Sequence, residues 1–456
     1  MMDARTASPV SDTLLRRLAG FTEACRHRPL TAAETDAMVT RLIDAMACAA
    51  IATGGEDFAR LKATFVDERQ PCTVIGGGRA SLEHAAFLNS FLIRQQDWND
   101  TYIGRNGGHP SDLIGGVLAA GEYTGKSGAE ILRAIAIGQH VMLDLCDTGE
   151  VLARGWDPST YLGIASAVGA GVLLDLSEAQ LAQAISMTVV SGNILMGRTG
   201  KVSSWKGLSS AVAVRNSLFY GLLAKNGLTA PDPVFEGPFG FTRHVSGDLD
   251  LELDPQRDRT GDTHLKLYPA VYHAQGPIEA ALKIHRRMNE TFGEKLPAIE
   301  SAHLDIYEFA LRYAADTPDK WVPENVETAD HSLPFLTAHS LIAGEYGPGS
   351  IARTLRDPAV RALAQKVSVS ASPSFSKVWP EHTGSRLTVT AAGKTFSEEI
   401  DVIIGHPKRP MSRDTVLEKF LACASLKTDL ATAQRWAEQL TDFPRLASIS
   451  RALAGS

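Results

Sequence analysis

Apolar residues recur at intervals of three and four along most of the first 260 positions, a periodicity that predicts a succession of helices. It places them over 11–26, 31–51, 81–93, 111–121, 127–146, 159–175, 177–191 and 207–226. Thr31, with Glu34 three residues on, is a capping-box start. The stretch 127–146 is apolar on most faces and 159–175 is rich in Ala and Gly, so both belong inside a close-packed bundle. An acidic, Pro-containing stretch over 247–263 reads as a linker, and the pattern changes after it. A helix over 277–288 leads into strand-like runs at 302–309, 367–371, 386–391 and 395–402, the last two flanking the short turn Ala392-Gly393-Lys394. Helix is predicted again over 326–345 and from 412 to 453. The fold class is mainly α with an α+β second domain. Residues 1–262 form the first part of a helical domain, 263–405 the α+β domain, and 406–456 a helical return to the first.

Composition adds bounds rather than detail. At 456 residues the chain exceeds what one compact core usually supports, which agrees with two domains. With 45 Lys+Arg against 52 Asp+Glu and no long basic run, nucleic acid is not an expected partner. No window approaches eighteen uninterrupted apolar residues, so no membrane span is expected, and the first residues show no secretory h-region. The five cysteines, Cys25, Cys48, Cys72, Cys146 and Cys423, are scattered and never spaced C-x-x-C. They read as small buried hydrophobes in a reducing cytoplasm, not as a disulfide framework or a metal knuckle.

The chemistry concentrates in residues 97–112, D-W-N-D-T-Y-I-G-R-N-G-G-H-P-S-D, a polar, Gly-rich loop between two apolar helices. A loop fixed at both ends by buried elements can be reactive and rigid together. Asp97 and His109 are its candidate acid/base groups. Arg105 could meet a carboxylate bidentately, and Ser111 and Asp112 are expected to cap the next helix. A second signal, G-R-T-G-K-V-S-S-W-K-G at 197–207, sets Lys201 and Lys206 before a helix N-terminus, where anions are favoured. It lacks Walker spacing and suits a carboxylate better than a nucleotide. A third, K-L-Y-P-A-V-Y-H, carries Lys266, Tyr268 and His273, with a packed hinge as its plainer reading. A fourth, E-T-A-D-H-S-L-P, puts an acid–His pair at Asp330 and His331 on a helical stretch. Gly76-Gly77-Gly78 reads as a plain turn, and no zinc-hydrolase or serine-hydrolase motif is present.

Taken in order, these four stretches resemble motifs of the MmgE/PrpD family, whose members include 2-methylcitrate dehydratase and cis-aconitate decarboxylase. The resemblance spans nearly the whole chain. It implies a large all-helical domain built from both chain ends, a smaller α+β lid, an active site in the cleft, a homodimer, and catalysis without metal or iron–sulfur cluster. It matches Asp97, Thr101 and His109 to the active-site loop and Lys266 to the lysine that opens the lid. The central lysine is Lys206 or Lys201. Asp157, in R-G-W-D-P-S, stands where the decarboxylase branch has a His, a departure that counts against itaconate formation. The function implied is a cofactor-free dehydratase for a small hydroxy di- or tricarboxylate, with 2-methylcitrate leading. The alternatives are a carboxylate epimerase, a cis-aconitate decarboxylase and a non-catalytic carboxylate binder.

Overall fold

The computed structural model describes residues 12–197 and 203–455. The chain divides into two compact units, one comprising Met1–Thr263 with Ser412–Ser456, the other His264–Met411. It is mainly α, with an α+β part in the second unit.

The first unit opens with α1 (Thr13–Arg26), α2 (Ala32–Ala52) and α3 (Glu56–Phe65). A short ladder of β1 (Cys72–Thr73) and β2 (Arg79–Ala80) precedes α4 (Leu82–Gln95). A second ladder, β3 (Tyr102–Ile103) and β4 (Gly107–Gly108), lies inside the polar loop. After a single 3-10 turn, Pro110–Leu113, come α5 (Ile114–Tyr123), α6 (Gly128–Asp147), α7 (Ser159–Leu173), α8 (Glu178–Ser191) and α9 (Trp205–Lys225). The expectation of an all-helical unit is therefore corrected by two short hairpins, one of which shapes the key loop. Capping boxes at Thr31, Ser127 and Ser177 start α2, α6 and α8 and satisfy two otherwise orphaned donors each. Every residue of α7 is buried. Its Gly169 is so close to α6 that an added Cβ would lie 3.1 Å from the Ala134 carbonyl oxygen.

The stretch 247–263 is not a free linker. Leu251, Arg259, Thr260 and Thr263 are buried, and Arg259 binds Asp144 at 2.6 Å, Asp147 at 2.8 Å and Asp262 at 3.0 Å. Its polar composition concealed this, because the charges are neutralised by partners rather than by water.

The second unit holds α10 (Gln275–Phe292), β5 (Ile299–Ile306), α11 (Glu308–Ala314), α12 (Val326–Ala329), α13 (Leu333–Ala343), α14 (Ser350–Thr354), α15 (Pro358–Ala364), β6 (Val367–Ala371), α16 (Pro373–Val378), β7 (Ser385–Ala391) and β8 (Lys394–Ile400). The strand order is β6-β5-β7-β8, with β5–β6 parallel and the other pairs antiparallel. Ala302, Leu304, Ile306, Leu387, Val389 and Phe396 alternate onto one face and share a core with α10 and α13. The helix expected over 326–345 is two helices. Ser332 accepts from the Phe335 N–H and starts α13, with Pro334 in its first turn.

The chain then returns to the first unit through α17 (Arg413–Ala424), α18 (Leu430–Thr441) and α19 (Ser450–Ala454). No single described helix is long and apolar enough to cross a membrane.

Candidate active site

The loop that follows α4 is closed tightly at its base. An added Cβ on Gly115, in the first turn of α5, would sit 2.3 Å from the Ser90 backbone nitrogen of α4, so these two helices cross almost backbone to backbone. Between them the chain must reverse within a few residues. Asp97 does this with a φ of +50°, a left-handed conformation that non-glycine residues enter at some cost.

Several partners hold Asp97 there. Arg94, in the last turn of α4 and 1% exposed, places Nη1 2.6 Å from Asp97 Oδ1. Lys206, in the first turn of α9, places Nζ 3.3 Å from Asp97 Oδ2. Two cations within 4 Å favour the ionised carboxylate. His109 Nε2 lies 3.9 Å from Asp97 Oδ1, close enough for charge to be felt and too far for a hydrogen bond.

The orientation of His109 is decided by its other nitrogen. Nδ1 is 2.7 Å from the backbone oxygen of Asp100. A carbonyl oxygen can only accept, so Nδ1 carries the proton and Nε2, facing Asp97, is the atom at which a proton can be taken up or given. Thr101 donates from its hydroxyl to the Gly108 carbonyl at 3.1 Å, which ties the two sides of the β3–β4 ladder together just before His109. Tyr102 extends the tie: its hydroxyl donates to Asp147 at 2.6 Å and accepts from Arg259 at 2.8 Å.

Beneath the loop is a buried carboxyl layer. Asp100 Oδ1 accepts from the Ser111 N–H at 2.9 Å, while its buried Oδ2 has no hydrogen bond among the described residues. Burial pushes the Asp100 carboxyl above the usual range. Asp112 accepts from Asn99 Nδ2 at 2.8 Å and lies 3.6 Å from Arg94 Nε. Burial outweighs Arg94 and moves Asp112 up to about 7. The expectation that Ser111 and Asp112 cap the following helix is thus corrected. Asp100 satisfies the Ser111 N–H from outside, and Asp112 turns inward to Arg94.

Asp157 joins from the start of α7. Its Oδ1 accepts from the Ser159 N–H at 2.9 Å and the Ser159 hydroxyl at 2.7 Å. Ser159 Oγ is 3.4 Å from the hydroxyls of Ser209 and Ser210, one turn along α9 from Lys206. Ser210 in turn hydrogen-bonds Asp112. Arg105 does not join this cluster. Its side chain is 60% exposed and pairs with Glu150 at 2.5 Å, because the β3–β4 turn carries it to the surface. Lys201 lies outside the described residues.

In the second unit, Lys266 is buried, and Tyr268 is half-buried with its phenol moved up to about 12 by desolvation. His273 shares a 2.6 Å hydrogen bond with the Tyr307 hydroxyl and sits among the rings of Phe309, Tyr313 and Trp379. His331 pairs with Asp330 in the turn between α12 and α13, not on a helix. The Val271 N–H donates to the Asp330 carbonyl at 3.0 Å, so the third and fourth sequence signals meet in space.

Two groups escaped the sequence reading. Arg94 stood three residues before Asp97, a spacing that pairs opposite charges at a helix end. Lys419 of α17 reaches the loop from 321 residues away, and no local signal announces that. Among the described residues no group of three or more His, Cys, Asp or Glu is placed to hold a metal ion.

With this geometry in place, comparison with known proteins identifies the family. Models of the MmgE/PrpD N-terminal and C-terminal domains match residues 16–254 and 268–442. The chain belongs to the MmgE/PrpD family. It is 27% identical over 361 residues to the mitochondrial 2-methylcitrate dehydratase of Yarrowia lipolytica, covering 74% of this chain and 68% of that protein. It is 26% identical over 362 residues to the 2-methylcitrate dehydratase of Escherichia coli K12, covering 71% of each. A cis-aconitate decarboxylase-like protein of Aspergillus oryzae is 25% identical over 455 residues, covering 91% of each.

Proposed function

We propose that this protein is a hydro-lyase that dehydrates a small hydroxy di- or tricarboxylate, with 2-methylcitrate to 2-methyl-cis-aconitate as the leading reaction. The observation that carries the reading is the Asp97–His109–Lys206 cluster. One imidazole nitrogen is fixed by a backbone carbonyl, and the other faces a carboxylate held by two cations.

Elimination needs a base for the proton α to a carboxylate, an acid for the departing hydroxyl and cations for the carboxylates. His109 Nε2 takes the α-proton, and the C–H electron pair becomes the new double bond. Asp97, 3.9 Å away, steadies the imidazolium that forms. The C–O bond breaks and the hydroxide leaves as water, taking a proton from the Lys206 ammonium.

The test follows ultraviolet absorbance of the conjugated alkene when purified protein is given 2-methylcitrate, citrate and other hydroxy di- and tricarboxylates. Alkene formation that disappears in His109→Ala supports the reading. No alkene from any member of the panel overturns it. The 91% coverage of the decarboxylase-like relative favours one second reading, loss of CO₂ from cis-aconitate. Against it, the Asp157 carboxylate accepts from Ser159, and the family resemblance puts it where the decarboxylase branch looks to have a His. CO₂ release from cis-aconitate without hydration or dehydration would select that reading instead.

A further inference from the structure

We infer that Lys419 is a positioning residue for the Asp97–His109 pair, acting from α17 through Trp98; the inference rests on the proposed role of that pair. Lys419 is 5% exposed, and its ammonium donates to Asp44 Oδ1 at 2.7 Å and to the Trp98 carbonyl at 2.9 Å. It also sits 4.5 Å from the centre of the Trp98 ring, a cation–π distance. One ammonium therefore fixes both the backbone and the side chain of the residue that follows Asp97.

That placement matters because Asp97 is in the left-handed region. A strained backbone persists only where its surroundings over-determine it. Arg94 holds the Asp97 carboxylate from one side, and Lys419 prevents the next peptide from rotating on the other. Burial alone would weaken the charge on Lys419. It is the largest single effect and works against the charge, but Asp44, together with Cys48 and Cys423, outweighs it and leaves the ammonium above its ordinary range. A buried ion pair is a weak source of net stability, since apolar replacements of the same volume often do as well. What such a replacement could not supply is the bond to the Trp98 carbonyl.

The experiment compares wild type with Lys419→Met/Asp44→Asn, which removes the ammonium without stranding a buried charge. Two readouts are taken: kcat and KM per folded molecule, and the titration midpoint of His109 by NMR. The expected result is a folded protein whose kcat falls about 10- to 100-fold while KM changes little, as misplacement of reacting groups by about 1 Å does. The His109 midpoint is expected to fall, because an anion moved away stabilises the imidazolium less. Unchanged kcat and an unchanged midpoint would overturn the inference. If wild type shows no turnover, the proposed function fails, and the His109 midpoint alone still decides the role of Lys419. Should the double variant not fold, Lys419→Gln replaces it. Its shorter amide reaches the Trp98 carbonyl less well, so kcat and midpoint should both drop, and no drop in either would overturn the inference.

Discussion

Two loops flank α4, and each serves a short two-strand ladder, yet they meet the same backbone demand in opposite ways. The turn before the helix, at residues 76–78, spends three consecutive glycines on positive φ, at +81°, +98° and +105°. It is closed by backbone hydrogen bonds from Val74 N–H to Gly78 O at 2.9 Å and from Gly77 N–H to Val74 O at 3.0 Å. Glycine enters that region freely, so nothing more is required. The loop after the helix puts Asp97 in the left-handed region, pairs it with Arg94 and Lys206, and ties the next residue, Trp98, to Lys419. Where a carboxylate replaces glycine at positive φ and buried charges gather to hold it, the backbone is serving the side chain. The contrast singles out the Asp97 loop independently of any motif.

The sharpest way to break the contrast is to remove a support that only one loop has. Arg94→Ala leaves two buried carboxylates without their shared cation and should cost about 3–5 kcal/mol. It should also abolish alkene formation, with denaturant midpoint and turnover as the measurements. A loss below about 1 kcal/mol would mean that the loop is not organised as described.

The second test uses pH. Asp112 titrates at about 7 in the folded chain, against about 3.9 in an unfolded one. Between those values the native state holds the extra proton. Its stabilising effect is complete below about pH 4 and is lost as pH rises to about 7. Stability should therefore fall across that window by an amount on the order of a few kcal/mol. Asp112→Asn should flatten the fall and match wild type near pH 4.

Gly77→Ala addresses the other loop. It forces a methyl-bearing residue to a φ of +98° and should cost about 1–2 kcal/mol, with kcat per folded molecule and the pH slope unchanged. A fall in kcat would erase the distinction between the two loops. Arg105→Ala should do least. Its exposed pair with Glu150 contributes within about 0.5 kcal/mol, and turnover should not change. A large loss of turnover would return Arg105 to the substrate.

The residues that were legible in the sequence are those whose physics is local. Thr31, Ser127 and Ser177 announce helix starts because a cap and its partner lie three residues apart. The strand runs and the Ala392-Gly393 turn are legible for the same reason. The polar loop stood out because its composition differs so sharply from the apolar helices beside it, although most of its residues are buried. The break at Ser332 was available in principle, since a cap followed by Pro334 marks a new start. The 247–263 stretch misled because composition reports polarity and not pairing, and Arg259 owes its burial to acids more than a hundred residues away. Lys419 lay beyond any local pattern, because its partners are Asp44 and Trp98.

That last contact also orders events in time. A ribosome completes α2, α4 and the whole of the polar loop some three hundred residues before Lys419 is added, the separation from Trp98 being 321 positions. Until then the loop carries Asp97 and His109 and lacks the brace beside Asp97. The intervening second unit, His264–Met411, has its own core and is synthesised in the meantime. The site is thus among the first parts of this protein to be made and among the last to be finished.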